Sequence, residues 1–249
     1  MSTTTLVTSI PPLTRPEATA LAAHEHERMA NLLASLNEDD WASPTECPEW
    51  DVRAVAGHAY GMVDTFSALR KFARDMIAGT RAAGDGPQID GLTAVQVKRH
   101  ASLSTDELIA RVRENGPVQA RWRAARRGMR HIPLKQDRRD GTKETWKLAY
   151  ILDVVLTRDA WTHRGDIARA TGRPMELTPD HDGRIVADAV ADWARRHGQP
   201  FTLELTGPAG GNYTVGDGGE RITIDAVEFC RTLSGRAPGV GLLSEEVPF

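Results

Sequence analysis

Residues 146–174, WKLAYILDVVLTRDAWTHRGDIARATGRP, constrain the fold more than any other stretch. Apolar residues recur at Leu148, Leu152, Val155, Ile167 and Ala170 in steps of three and four, the period of one helix face. The same stepping lands on Asp159 and His163, so a core-facing stripe carries a carboxylate and an imidazole. Even a neutral polar group buried without a partner costs roughly 2–7 kcal/mol, so this face must meet something that compensates it. A metal ion would do so. Asp159 and His163 stand one turn apart, Asp166 continues the edge three residues on, and Gly172 with Pro174 supplies the stop. Taken alone, the pair equally fits an arginine-bound carboxylate beside a hydrogen-bonded core histidine.

The rest of the chain supplies the surfaces such a helix could pack on. Residues 17–36 place Leu21, Met29, Leu32, Leu33 and Leu36 at helical spacing, with His24 and His26 on different faces and both read as solvated. A Pro-rich loop, residues 41–50, leads to Asp51 as the N-cap of a second helix expected to reach about residue 77. Its stripe is Val55, His58, Met62, Phe66 and Leu69, which puts a second imidazole on an apolar face. A Gly-rich break follows. Ser104 and Glu107 then form a capping box for a third helical region that Pro117 should kink or interrupt. The basic run of residues 121–139 reads as a solvated helix end and loop, and the stretch already described is the fourth helix.

Beyond Pro174 the period changes. A helix over residues 179–197 is followed by alternation at 201–206, 212–215 and 221–224, and Asp225 caps a last short helix. Helices first and a small antiparallel sheet later imply an all-α domain followed by a compact α+β domain. The expected divisions are a flexible tail over residues 1–14, a helical domain over 15–175 with no strand in 50–75 or 145–170, and the α+β domain over 176–249.

Charge and cysteine content narrow the function. A net charge of -3 and a pI near 6.2 argue against a nucleic-acid partner, whose phosphates need clustered excess cation. No run approaches the ~18 apolar residues of a membrane span, and the N-terminus lacks a basic, then apolar, leader. Cys47 and Cys230 lie far apart without metal or redox spacing and read as small packing residues, which fits a cytoplasmic location.

An up-and-down bundle would set the second helix beside the fourth and gather His58, Asp159 and His163 into a site with two imidazoles and one carboxylate. Such a set leaves coordination positions open, as catalytic sites do, and suits zinc or non-haem iron. The segments W-A-S-P-T-E-C-P-E-W-D-V-R-A-V-A-G-H, residues 41–58, and R-D-A-W-T-H-R-G-D-I-A-R-A-T-G-R, residues 158–173, resemble the two signatures of mycothiol-dependent maleylpyruvate isomerase-like proteins. That family belongs to the DinB-like metalloenzyme superfamily. The resemblance implies a DinB-like four-helix bundle followed by a sterol-carrier-like α+β domain. It implies a divalent metal, zinc foremost with iron or nickel as alternatives, on His58, Asp159 and His163. It further implies mycothiol as cosubstrate, with Asp166 and Arg236 contacting thiol or substrate and Asp166 counted with the three ligands as the catalytic set. Asp159 departs from the glutamate of the isomerase type, which leaves isomerase and S-transferase chemistry both open.

The expected function is therefore a metalloenzyme that activates a small thiol for attack on a small electrophile, as a monomer or homodimer. A metal-dependent hydrolase and a non-catalytic small-molecule-binding or regulatory protein are the alternatives.

Overall fold

A computed structural model describes residues 3–138 and 141–249, and its chain opens with a strand. β1 (Thr4–Leu6) pairs in parallel with a later strand and buries Val7 just beyond it, so residues 4–7 form a sheet edge within the stretch expected to be a flexible tail, of which residues 1–2 lie outside the described residues. Thr14 then caps α1 (Arg15–Ala34) in a capping box with Glu17. Asp51 caps α2 (Val52–Thr65), accepting the Ala54 N–H at 2.8 Å. There follow α3 (Leu69–Ala83), α4 (Gln88–His100) and α5 (Thr105–Ala125), the last opened by the expected Ser104–Glu107 box. A hairpin of β2 (Pro133–Asp137) and β3 (Lys143–Lys147) leads through the short α6 (Leu148–Tyr150) and a π-turn (Ile151–Val155) into α7 (Leu156–Thr171). Among the described residues, no helix is long and apolar enough to cross a membrane.

The chain divides into two compact units, Thr14–Met175 and, together, Met1–Leu13 with Glu176–Phe249. In the first, α1 and α2 each pack against both α5 and α7, around Leu33, Val55, Leu108 and Ile167. α3 pairs with α4, and α4 lies along α2.

Several expectations change here. α2 ends at Thr65 and not near residue 77, because the Ser67 hydroxyl turns back to the Asp64 carbonyl and Phe66 packs on Phe72 and Trp122. Leu69 consequently opens a new helix and is 54% exposed, off the buried stripe. α5 runs through Pro117, losing one intrahelical N–H without breaking. β3 covers residues 145–147, so the expectation of no strand in 145–170 fails at its start. KETWK alternates in exposure, and this period-two pattern wins over the helical one until Leu148. Arg123 and Arg130 of the basic run are not solvated: Arg123 is buried and Arg130 pairs with Asp153. Residue 139 lies outside the described residues.

His26 is also corrected. It is 4% exposed and meets Gln119 at 3.3 Å, because Gly116 lets α5 approach so closely that a Cβ there would sit 2.4 Å from His26 Cβ. Burial, reinforced by the charge of Arg123, lowers the His26 pKa to about 4, and burial does the same to His100 beside Tyr60. Both rings fold neutral while the unfolded chain titrates near ~6.5. Their contribution is present above that value and is lost as pH falls toward 4, on the order of 3 kcal/mol for His26 and less for the incompletely enclosed His100. Urea unfolding at pH 7 and pH 4.5 should show this loss, and His26→Gln should reduce it.

In the second unit, α8 (Arg184–His197) precedes β4 (Phe201–Thr206), β5 (Gly211–Val215) and β6 (Glu220–Asp225), and Asp225 caps α9 (Ala226–Leu233) as expected. The sheet is mixed, in the order β1-β5-β4-β6, and not antiparallel throughout. β4 pairs antiparallel with β5 and parallel with β6. The reason lies at Gly219, where a Cβ would come 1.9 Å from the Pro200 carbonyl: the chain passes the start of β4 to its far edge instead of closing a hairpin. Phe201, Leu203 and Leu205 point into a core with Trp193 and Phe229.

Candidate metal centre

His58 on α2 and Asp159 and His163 on α7 meet in the first unit. His58 Nε2 and His163 Nε2 lie 3.8 and 3.6 Å from Asp159 Oδ1, and the rings stand edge to face with centroids 5.0 Å apart. These separations exceed a hydrogen bond but approach the edge of a tetrahedral site, about 3.4 Å for ligands near 2.0–2.1 Å from zinc. Asp159 Oδ2 is buried with no hydrogen-bond partner. The three donors fit a divalent cation by residue type, separation and this unsatisfied oxygen.

Each imidazole is held from behind. His163 Nδ1 lies 2.9 Å from Asp166 Oδ2, and His58 Nδ1 lies 2.9 Å from Gln96 Oε1. Both Nε2 atoms are thereby left to face Asp159. Burial favours a neutral Asp159, but the two imidazoles outweigh it and hold the carboxyl far below its usual range. Burial likewise favours a neutral His163, yet Asp159 and Asp166 raise its pKa to about 9. The site therefore stabilises positive charge next to Asp159, whether a proton or a metal carries it.

The supporting elements follow from local sequence. The π-turn ahead of α7 exposes the Leu152 carbonyl to Arg123 Nε, while Arg123 Nη2 donates to Thr157 Oγ1 at 2.9 Å. This buried guanidinium, with Asp159 the foremost charge acting on it, steadies the N-terminal turn of α7. Trp50, whose carbonyl accepts the Thr45 hydroxyl at 2.8 Å, walls the site with its ring 5.2 Å from His58 and 6.4 Å from His163.

Asp166, for which the resemblance implies contact with thiol or substrate, is buried, and its Oδ2 lies against His163. Arg236 belongs to the second unit, where it follows α9 and lines a groove of about 380 Å³ with Thr232, Gly235, Leu243, Ser244 and Glu246. Cys230 is buried as a packing residue, but Cys47 is placed differently from its reading. Ligand atoms of Cys47, His163 and Asp166 lie within 4.8 Å of one another, a contact between loop and helix that sequence spacing does not carry. Gln96 is absent from the sequence reading; the cue for it is its place one helical turn beyond Leu92, which is buried.

Residues 22–168, which include every side chain named at this centre, match the family model of the mycothiol maleylpyruvate isomerase N-terminal domain. Uncharacterized proteins of two Mycobacterium tuberculosis strains are 26% identical over 223 residues, covering 83% of this chain and 80% of theirs. Two crystal structures of the mycothiol-dependent maleylpyruvate isomerase, one of a histidine-to-alanine mutant, superpose with a TM-score of 0.52 at 15% identity. They cover 94% of this chain and 92% of theirs, a likeness of fold.

Proposed function

Because the chain belongs to the family of the mycothiol maleylpyruvate isomerase N-terminal domain, we propose that it is a divalent-metal enzyme that activates mycothiol for attack on a small electrophile. The reaction is either a maleylpyruvate-type cis-trans isomerisation or an S-transfer. The observation that carries this reading is the convergence of two Nε2 atoms on Asp159, one of whose oxygens is buried without a partner. In the same reading α1, α2, α5 and α7 form a DinB-like four-helix bundle, and the second unit is its sterol-carrier-like companion.

A free thiol with a pKa near ~8.5 is mostly protonated at neutral pH and nucleophilic only as thiolate. When bound, the cation, zinc foremost, supplies the positive charge that favours thiolate. His58, Asp159 and His163 contribute three donors and leave room for an exogenous ligand. Asp166 and Gln96 fix the two rings, Arg123 steadies the turn that carries Asp159, and Trp50 limits access of water from the loop side. Arg236 is assigned to a substrate carboxylate, which its planar fork would bind bidentately.

A screen of small electrophiles with zinc-loaded protein, with and without mycothiol, tests this reading, and a Cys47→Ser, Cys230→Ser variant is run beside it. Turnover should require the added thiol and survive loss of both cysteines, because the attacking sulfur is exogenous. Arg236→Met should raise KM for carboxylate substrates more than it lowers kcat. Turnover in the complete absence of thiol would overturn the proposal in favour of metal-activated water.

A further inference from the structure

A chain of buried polar side chains leads from His58 away from the metal centre. His58 Nδ1 meets Gln96 Oε1 at 2.9 Å, Gln96 Nε2 meets Thr65 Oγ1 at 3.0 Å, and Thr65 Oγ1 meets Asp75 Oδ2 at 2.8 Å. Gln96 and Thr65 are 0% exposed and Asp75 is 1% exposed, so water does not compete for these bonds. Asp75 is held by Arg74, with Nε at 2.7 Å from Oδ1, and by Arg99. Burial favours a neutral Asp75, but these partners outweigh it and keep the carboxyl below its usual range.

An ionised carboxylate only accepts, and that fixes the direction of every bond in the chain. The Thr65 hydroxyl has one proton and gives it to Asp75, so Thr65 Oγ1 must accept from Gln96. Gln96 therefore turns its NH₂ toward Thr65 and its oxygen toward His58, and the contact of Nε2 with Met62 Sδ at 3.3 Å agrees with a donor at that end. The reversed amide would place two oxygens 3.0 Å apart with no proton between them. A carbonyl oxygen at His58 Nδ1 requires an N–H there, which leaves the lone pair on Nε2, the atom that faces Asp159. Packing protects the arrangement: a Cβ on Gly61 would lie 2.5 Å from Gln96 Cβ, so α2 and α4 meet closely only because residue 61 has no side chain.

We infer that Gln96, Thr65 and Asp75 form a positioning relay that sets the tautomer of His58 and so presents Nε2 as a metal donor. The relay rests on the metal reading for its purpose but not for its polarity, which the metal-free protein already possesses. Among the described residues Thr65 hydrogen-bonds to Asp75 and Gln96 and to none of the proposed ligands, and Gln96 is the side chain that links its hydroxyl to His58.

Nitrogen-15 NMR of metal-free protein, at a pH where the ring is neutral, reads the tautomer of His58, and chelator competition reads the dissociation constant for Zn(II). The wild type and Thr65→Ser should carry the proton on Nδ1. Thr65→Val, near in shape but without the hydroxyl, should shift His58 toward the Nε2–H form and weaken Zn(II) binding about tenfold, and Gln96→Leu should weaken it ten- to hundredfold. Matching amide spectra establish that the variants are folded, and a merely structural role would lower the melting temperature without moving the tautomer. A wild-type proton on Nε2, or an unchanged tautomer in Thr65→Val, overturns the relay. A wild type that carries Nδ1–H but binds no Zn(II) supports the relay and removes the metal centre.

Discussion

Replacing His163 with alanine should strip the centre of its metal and abolish thiol-dependent turnover, with a greater loss than the ten- to hundredfold expected from removing an orienting partner. The size of the effect follows from what His163 holds. It is one of three donors, it is the partner of Asp166 at 2.9 Å, and it is the first of the two imidazoles that keep Asp159 ionised against its burial. Without it, Asp159 and Asp166 each lose their imidazole neighbour, and a bound metal would have only two protein ligands. Adding His58→Ala should remove the residual affinity. Asp166→Asn, which keeps the ring and loses only the charge behind it, should fall between wild type and His163→Ala. Elemental analysis of purified protein checks the order, with circular dichroism confirming that each variant is folded. Equal metal content in wild type and the double variant would remove these residues as ligands.

The second large effect concerns stability. Arg164 and Glu25 form a bidentate pair, Nε to Oε1 at 2.6 Å and Nη2 to Oε2 at 3.1 Å, with side chains 1% and 0% exposed. Removing Glu25 takes the bidentate acceptor away from a buried guanidinium, so Glu25→Ala should cost about 3–5 kcal/mol. Replacing both with apolar residues of similar volume, Glu25→Leu with Arg164→Met, should recover most of that loss because the desolvation of two charges disappears with their attraction. Equilibrium urea unfolding of the singles and the double measures the coupling. A single variant costing less than about 1 kcal/mol would show that the bidentate contact is not what holds these buried charges.

The meeting of His58, Asp159 and His163 is legible in the sequence because polar residues on apolar stripes violate the pattern around them, and the violation recurs at helical spacing. Gln96 follows Leu92 by one turn, but His100 continues that face, so no apolar stripe marks it, and GDGPQIDG ahead of it reads as a loop. The structure explains the glycine differently: a Cβ on Gly91 would lie 2.1 Å from the Gly79 carbonyl, so the residue permits close packing of α3 on α4 and does not mark a turn. Local propensity likewise identified β4 and β6 but not their parallel pairing, which depends on where the chain crosses Pro200. The strand at residues 4–6 is too short to announce itself and exists through its partner Gly211–Val215. Cys47 beside His163 belongs with these cases, because contacts between distant segments leave no trace in spacing.

X-ray absorption at the zinc edge of the loaded protein, before and after addition of mycothiol, reads directly whether the exogenous sulfur reaches the cation. A nitrogen and oxygen shell with two imidazoles is expected before addition, and a sulfur scatterer near ~2.3 Å afterwards that persists in Cys47→Ser, Cys230→Ser protein. An unchanged shell after mycothiol is added, or a sulfur that disappears with Cys47, would contradict it.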